Sequence, residues 1–372
     1  MTIERMCLSD FLDDFVAYRT LAPSDRRVRG LSAIHAELGL PAGRIPRKTE
    51  PEYAAAVVHL LRQAQSVRGA GRPLERVLYI GDTRLNDGTA ARNLAQHLAM
   101  RAFIGEDKLD EAIRLEAQDE FVFANRWTAL GDFLRQVQEQ GFALDAATAV
   151  VLDLDKTAIG ARGRNDKPID QARVDAALGI ARATLGSSFR LDTFRPIYDE
   201  LHKPAYHFIT TDNQDYLVYF SLMASAGVYD GDTLLADLKS KRLNTFAEFV
   251  AVCEKRLQDF PALQPLHAEV ERNLRQGDPT PFKSFRYREY ECTLARMDQL
   301  PDDTPRAQLL ADEITLTREV ADAALELRER GALLFGLSDK PDEASLPRPE
   351  LAQRGYLPLH HVILKVIGPG GG

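Results

Sequence analysis

The sequence predicts an α/β protein, a parallel-sheet core shared between the two ends of the chain and interrupted by a large helical insertion. Three observations carry this. Short apolar runs alternate with amphipathic helices over residues 51–155 and again over 313–368. Those runs end in acidic or hydroxyl residues, as strands do at the ligand-binding edge of an open parallel sheet. Residues 158–312 change character: helix formers dominate, short apolar runs are few, and most of the aromatic residues lie there. The expected boundaries are 1–157 and 313–372 for the core and 158–312 for the insertion.

Each element has its own signal. Residues 1–45 read as short helices broken at Pro23 and around Gly39–Pro41. Pro51 opens a helix through EYAAAVVHLLRQAQ, since a missing N–H costs nothing in a first helical turn. After the loop SVRGAGRP, the run ERVLYIGD reads as a buried parallel strand. The helix GTAARNLAQHLA and the strand MRAFIG follow, and residues 126–141 look helical. ATAVVLDLD is the strongest buried-strand signal. Beyond the insertion, TREVADAALELRERG is an amphipathic helix closed by Gly331. ALLFGLSDKP is a strand running into a polar turn, HHVILKVIG is a final strand, and GPGGG is a flexible tail.

Composition narrows the function classes. A chain of 372 residues has room for two domains or for one domain with a large insertion. Its 45% apolar and 27% charged residues are ordinary for a globular protein, and its net charge of −8 argues against nucleic acid as a partner of the whole surface. Cys7, Cys253 and Cys292 are odd in number, widely spaced and without a CxxC pair, so they read as free thiols of a reducing compartment. The N-terminal MTIERMCLSDFLDDF has acidic residues where a signal peptide needs an apolar run, and no stretch reaches the length of a membrane span. The expectation is a cytoplasmic protein with no membrane partner. Nothing in the sequence sets the oligomeric state.

The strand ends carry the chemistry. Three apolar runs close on Gly81-Asp82, Asp153-Leu154-Asp155 and Ser338-Asp339. Bare carboxylates gathered on one sheet edge repel one another, and a hard divalent cation such as Mg²⁺ resolves the conflict while keeping positions for substrate oxygens. In DLDKT (153–157), residues two apart at a fraying strand end can reach one ligand. One carboxylate can attack an electrophile while the other donates a proton. The competing reading makes DLDKT a solvated turn or helix cap, and GDTRLND an ordinary capped helix start.

Four segments together resemble the motifs of the haloacid dehalogenase (HAD) superfamily of phosphatases and phosphotransferases. VVLDLDKT resembles the first motif, LLFGLSDKP the second, RKTEPEYAAAV the third and VLYIGDTRLND the fourth. In the family they run first to fourth; here they run third, fourth, first, second. The resemblance therefore implies a Rossmann-like parallel-sheet core that is circularly permuted and carries a large inserted helical cap. The final strand is expected beside the 332–337 strand, on the side away from Asp153.

The resemblance also implies roles. Asp153 is the nucleophile that forms an aspartyl-phosphate, and Asp155 is the general acid/base. Asp153, Asp82 and the Asp155 main-chain carbonyl bind Mg²⁺, with Asp87 or Asn86 holding a metal-bound water. Ser338 and Lys48 hold the transferring phosphoryl oxygens, with Lys340 and Lys365 as alternatives to Lys48. Thr157 braces the loop. The implied activity is Mg²⁺-dependent hydrolysis of a small phosphorylated substrate. A phosphotransferase or mutase on the same scaffold, or a binding protein with a degenerate site, are the alternatives. Asp155 argues against a dehalogenase. Within the insertion, Lys283, Arg286 and Arg288 interleave with Phe282, Phe285, Tyr287 and Tyr290. Such a pattern suits a polyanion, but better suits an amphipathic helix whose basic side chains lie over its own core.

Overall fold

The computed structural model describes residues 3–369; the end of the glycine-rich tail lies outside them. Its strands are β1 (Arg5–Met6), β2 (Val16–Ala17), β3 (Arg76–Gly81), β4 (Ala99–Gly105), β5 (Leu115–Gln118), β6 (Phe121–Ala124), β7 (Thr148–Asp153), β8 (Leu316–Thr317), β9 (Leu333–Leu337) and β10 (Leu364–Ile367). Seven form one sheet in the order β2-β9-β7-β3-β4-β6-β5, parallel throughout except for the β5–β6 hairpin. The protein is thus mixed α/β with a mostly parallel, Rossmann-like sheet.

β7 lies at the centre, and all six of its residues are buried, as a parallel strand covered on both faces requires. One face packs Val77, Tyr79, Ala149, Val151 and Phe335 against the helices Pro51–Val67 and Asn86–Leu94. The register pairs Ile80 with Leu152 and Asp153 with Leu337. Because these strands are parallel, Asp82, Asp153 and Ser338 all leave the sheet at the same edge. That follows from the sequence pattern: each apolar run is as long as its strand, and its first polar residue marks the exit.

One topological expectation is overturned. The strand beyond β9 is not the final strand but β2. β10 instead lies between β1 and β8 in a separate three-stranded sheet. The reason is local chemistry: Lys365 on β10 is fully buried and ion-paired to Glu313 at 2.8 Å and Asp298 at 2.9 Å. A buried cation needs those carboxylates, and they hold β10 in the smaller sheet. The first 45 residues also hold two short strands as well as the helices Ser9–Leu12 and Leu31–Ile34.

The chain divides into two compact units. The first takes residues up to Ala172 and from Thr293 onward; the second is Arg173–Cys292. The segment that reads as an insertion at 158–312 is therefore wider than the second unit. Residues 158–172 and 293–312 belong to the first, where Asn165 bonds the backbone of Leu310, Glu313 and Thr315. The second unit is helical, without a strand among its described residues, and has its own aromatic core of Phe194, Tyr219, Phe220, Phe249, Phe282 and Phe285. The basic–aromatic stretch belongs to that core: Arg286 is buried and paired with Asp215 at 2.5 Å and Glu289 at 2.7 Å. Arg288 pairs with Glu291 at 2.7 Å. No helix among the described residues is long and apolar enough to cross a membrane.

Candidate active site

The sheet edge gathers residues remote in sequence. Asp153 ends β7 and is 5% exposed. The Lys48 ammonium, also 5% exposed, donates to Asp153 Oδ1 at 2.6 Å and is ion-paired with Asp87 Oδ1. Lys48 reaches this point from the turn, closed by Glu50 N donating to Arg47 O at 2.8 Å, that leads into the helix Pro51–Val67, which packs on the sheet.

Asp87 organises the neighbouring turn. Its Oδ2 accepts from Asp82 N at 3.1 Å, Thr83 N at 2.8 Å and Thr83 Oγ1 at 2.6 Å, and its Oδ1 accepts from Tyr79 Oη at 2.9 Å. The carboxyl lies directly over Gly81, where an added Cβ would fall 2.6 Å from Asp87 Cγ. Glycine at the end of β3 is thus a condition for Asp87 to close the turn. Asn86, its competitor in the sequence, is exposed.

Oxygens of Asp82, Asp87 and Asp153 lie within 4.8 Å of one another. Three carboxylates face two cations, Lys48 and Arg162, the latter paired with Asp82. Burial is the main force on Asp82, and with repulsion from Asp87 it outweighs the Arg162 pairing, pushing this carboxyl up to about 7. Burial likewise drives Asp153 above the usual carboxylate range, helped by Asp87 and Asp82 and opposed by Lys48. Asp87 is driven the other way: burial opposes ionisation, but the Lys48 ammonium and the Thr83 donors hold it charged. Burial works against the charge on Lys48 too, yet Asp153 and Asp87 overcome it and raise its pKa.

The cluster fits a hard divalent cation. Its donors are all oxygens, and octahedral coordination at about 2.0–2.1 Å places oxygens roughly 3–4 Å apart, within the observed span. The under-compensated negative charge at Asp82 and Asp153 points the same way. An oxygen-only set accepts Mg²⁺, Ca²⁺ or Mn²⁺.

The remaining expected residues are placed as follows. Ser338 is buried, donates N–H to Ala17 O at 3.1 Å, and accepts from Lys340 N at 3.0 Å through Oγ. The Asp155 carboxylate stands outside the three-carboxylate cluster, with Lys340 Nζ 3.9 Å away. Thr157 is buried, and its carbonyl accepts from Thr317 Oγ1 at 2.7 Å, which ties the loop after β7 to β8. Lys365 is committed to Glu313 and Asp298 and takes no part in this cluster.

Arg162 escaped the sequence reading. The loop after β7 doubles back, with Arg162 N donating to Lys156 O at 2.8 Å. Gly163 follows at φ +79°, where an added Cβ would sit 2.0 Å from Asp107 O. The local signal there is the glycine-rich IGARGRND, which marks a turn but does not mark Arg162 as the carrier of a cation. A cleft of about 310 Å³ opens beside Asp82, lined among others by Arg84, Arg114, Arg162, Glu106 and Phe123. Comparisons with known protein families, curated proteins and solved structures return no match.

Proposed function

We propose that this chain is a divalent-cation-dependent phosphohydrolase of the HAD type, with a permuted core and Asp153 as nucleophile. The observation that supports it best is the convergence of Asp153, Asp82, Asp87 and Lys48 at one carboxyl edge of the sheet, from positions in the order third, fourth and first motif. Phosphoryl transfer asks a protein chiefly for positioning and for charge stabilisation, and buried carboxylates beside a buried ammonium offer both.

In this reading Asp153 attacks phosphorus and the ester oxygen leaves with a proton from Asp155. Water, giving its proton back to Asp155, then attacks the aspartyl-phosphate, releasing inorganic phosphate and restoring Asp153. Lys48 holds the Asp153 carboxylate in place and opposes the burial that draws it toward protonation. Ser338 and Lys340 offer a hydroxyl and a cation to the phosphoryl oxygens. Arg162 and Asp87 fix the Asp82 side of the site. A bound Mg²⁺ would be held by Asp82 and Asp153, with Asp87 at its border, and would neutralise charge on the transferring group. The arginine-bearing cleft beside Asp82 gives room for the rest of a small phosphorylated substrate. The test is a panel of phosphate esters assayed with Mg²⁺ and with excess chelator. Release of phosphate that needs the cation is expected; turnover unchanged in chelator, or none on any ester, refutes the reading.

A further inference from the structure

A second constellation shares no residue with the three-carboxylate cluster. Asp14 follows the helix Ser9–Leu12 and precedes β2. His360 and His361 occupy the single turn Leu359–His361, 346 and 347 residues away in sequence. Both imidazoles turn Nε2 toward the same atom, Asp14 Oδ1, at 3.2 Å for His360 and 2.8 Å for His361. The two rings lie against each other with centroids 4.3 Å apart. One potential ligand atom from each of the three residues falls within 4.8 Å of the others.

Two ring nitrogens and a carboxylate oxygen thus converge on one point, three donor atoms from two segments of the chain. The inner histidine is also supported from behind. His360 is fully buried, and its other nitrogen, Nδ1, lies 3.1 Å from Tyr18 Oη. With an ion bound, His360 would carry its proton on Nδ1, donated to Tyr18 Oη, and offer its Nε2 lone pair to the ion. Metal-binding histidines are held in just this way by a partner on the second nitrogen. The outer side is open: the Asp14 and His361 side chains are 49% and 37% exposed, leaving room for water in further coordination positions.

We propose that Asp14, His360 and His361 form a second cation site, one that takes a late first-row divalent ion with Zn²⁺ as its type. Two imidazole nitrogens favour such ions over Mg²⁺ or Ca²⁺, which prefer all-oxygen donors. Three protein ligands and a water complete a tetrahedral zinc site. The bound ion clips the segment before β2 to the turn that precedes β10, so its binding energy adds to the stability of the fold.

The test uses the full chain stripped of metal by chelator, with Zn²⁺ titrated calorimetrically in excess Mg²⁺, and Co²⁺ followed by visible absorption. His361→Ala and Asp14→Asn change exposed side chains, and circular dichroism checks that both variants fold. The expectation is one tight Zn²⁺ per chain, a raised melting temperature, and the intense visible bands of tetrahedral Co²⁺. Each variant should weaken Zn²⁺ by about 100-fold or more, and Tyr18→Phe by about 10-fold, at the lower end of what loss of such a supporting partner costs. Asp82→Ala should leave the Zn²⁺ stoichiometry and affinity unchanged, which separates this site from the acidic one. Zn²⁺ binding equal in wild type, His361→Ala and Asp14→Asn overturns the proposal, as does binding abolished by Asp82→Ala alone.

Discussion

Three aspartates at one sheet edge have two fates, and the partners decide them. Asp87 is saturated with donors and held ionised; Asp82 and Asp153 are buried with less compensation and drawn toward protonation. Asp153→Asn keeps the shape and removes the oxygen proposed as the nucleophile. Turnover should fall about 1,000-fold or more with an unchanged circular dichroism spectrum, and residual activity of several per cent would remove Asp153 from that role. Lys48→Met leaves Asp153 and Asp87 without their shared cation. A buried pair broken on one side costs roughly 3–5 kcal/mol, so urea melts in chelator should show a loss of that order, with Mg²⁺ restoring part of it. A loss identical with and without Mg²⁺ would mean that no cation enters the cluster. Asp153, Asp82 and Lys48 could be found from sequence because each sits at a boundary: the end of an apolar run, or the approach to a proline-started helix. Arg162 could not, because its meaning depends on Asp82, a partner 80 residues away that no local pattern indicates.

At the scale of elements, the strands flanking the site were legible because their apolar runs match their lengths. The β5–β6 hairpin was not: Leu115–Gln118 is only four residues long and exposed along its whole length, so its Leu-Glu-Ala-Gln alternation is too short to stand out and marks no buried face. In the helical unit the interleaved bases and aromatics read better as a helix lying over its own core than as a binding surface, and Arg286 is buried against Asp215 and Glu289. Its core also holds a titrating group. His267, on the helix Gln264–Arg275, is 5% exposed; Tyr219 Oη lies 2.6 Å from its Nδ1, and its Nε2 meets no partner. Burial lowers its pKa, with Glu271 and Glu254 opposing and Arg275 assisting. The folded state therefore takes up this proton less readily than the unfolded chain. Stability should be fully present above the unfolded value of about 6.5 and decline as the pH falls through it. His267→Gln should flatten the urea-midpoint profile between pH 7 and pH 5; an unchanged slope would assign the acid sensitivity to other groups.

At the scale of the molecule, the order of the strands carries the argument for permutation. β9, β7 and β3 are adjacent and parallel although they come from the end, middle and beginning of the chain. The site they share therefore does not depend on which of them is made first. The expectation for the final strand failed because β2, only two residues long, is too short to leave a periodic signal, so the vacancy beside β9 was assigned to the longer run. The two ends of the described chain meet in the smaller sheet: Arg5 pairs with Lys365, and Val366 N donates to Glu4 O at 2.9 Å. Joining them by a short flexible linker should cost little. A new opening between Gln140 and Gly141, both exposed, falls in the turn between the helix Leu130–Glu139 and β7. It severs one helix-capping turn, a loss of about 1 kcal/mol. The rearranged chain would present Asp153, Ser338, Lys48 and Asp82 in that order, the first-to-fourth order of the motifs. It should fold with a melting temperature within about 10 °C of the parent and with the same Mg²⁺-dependent, Asp153-dependent turnover. A product that folds but has lost the cation response would show that the Lys48 and Asp82 arms need the parental connectivity. A product that does not fold would show that the three-stranded sheet, not the seven-stranded one, organises the chain.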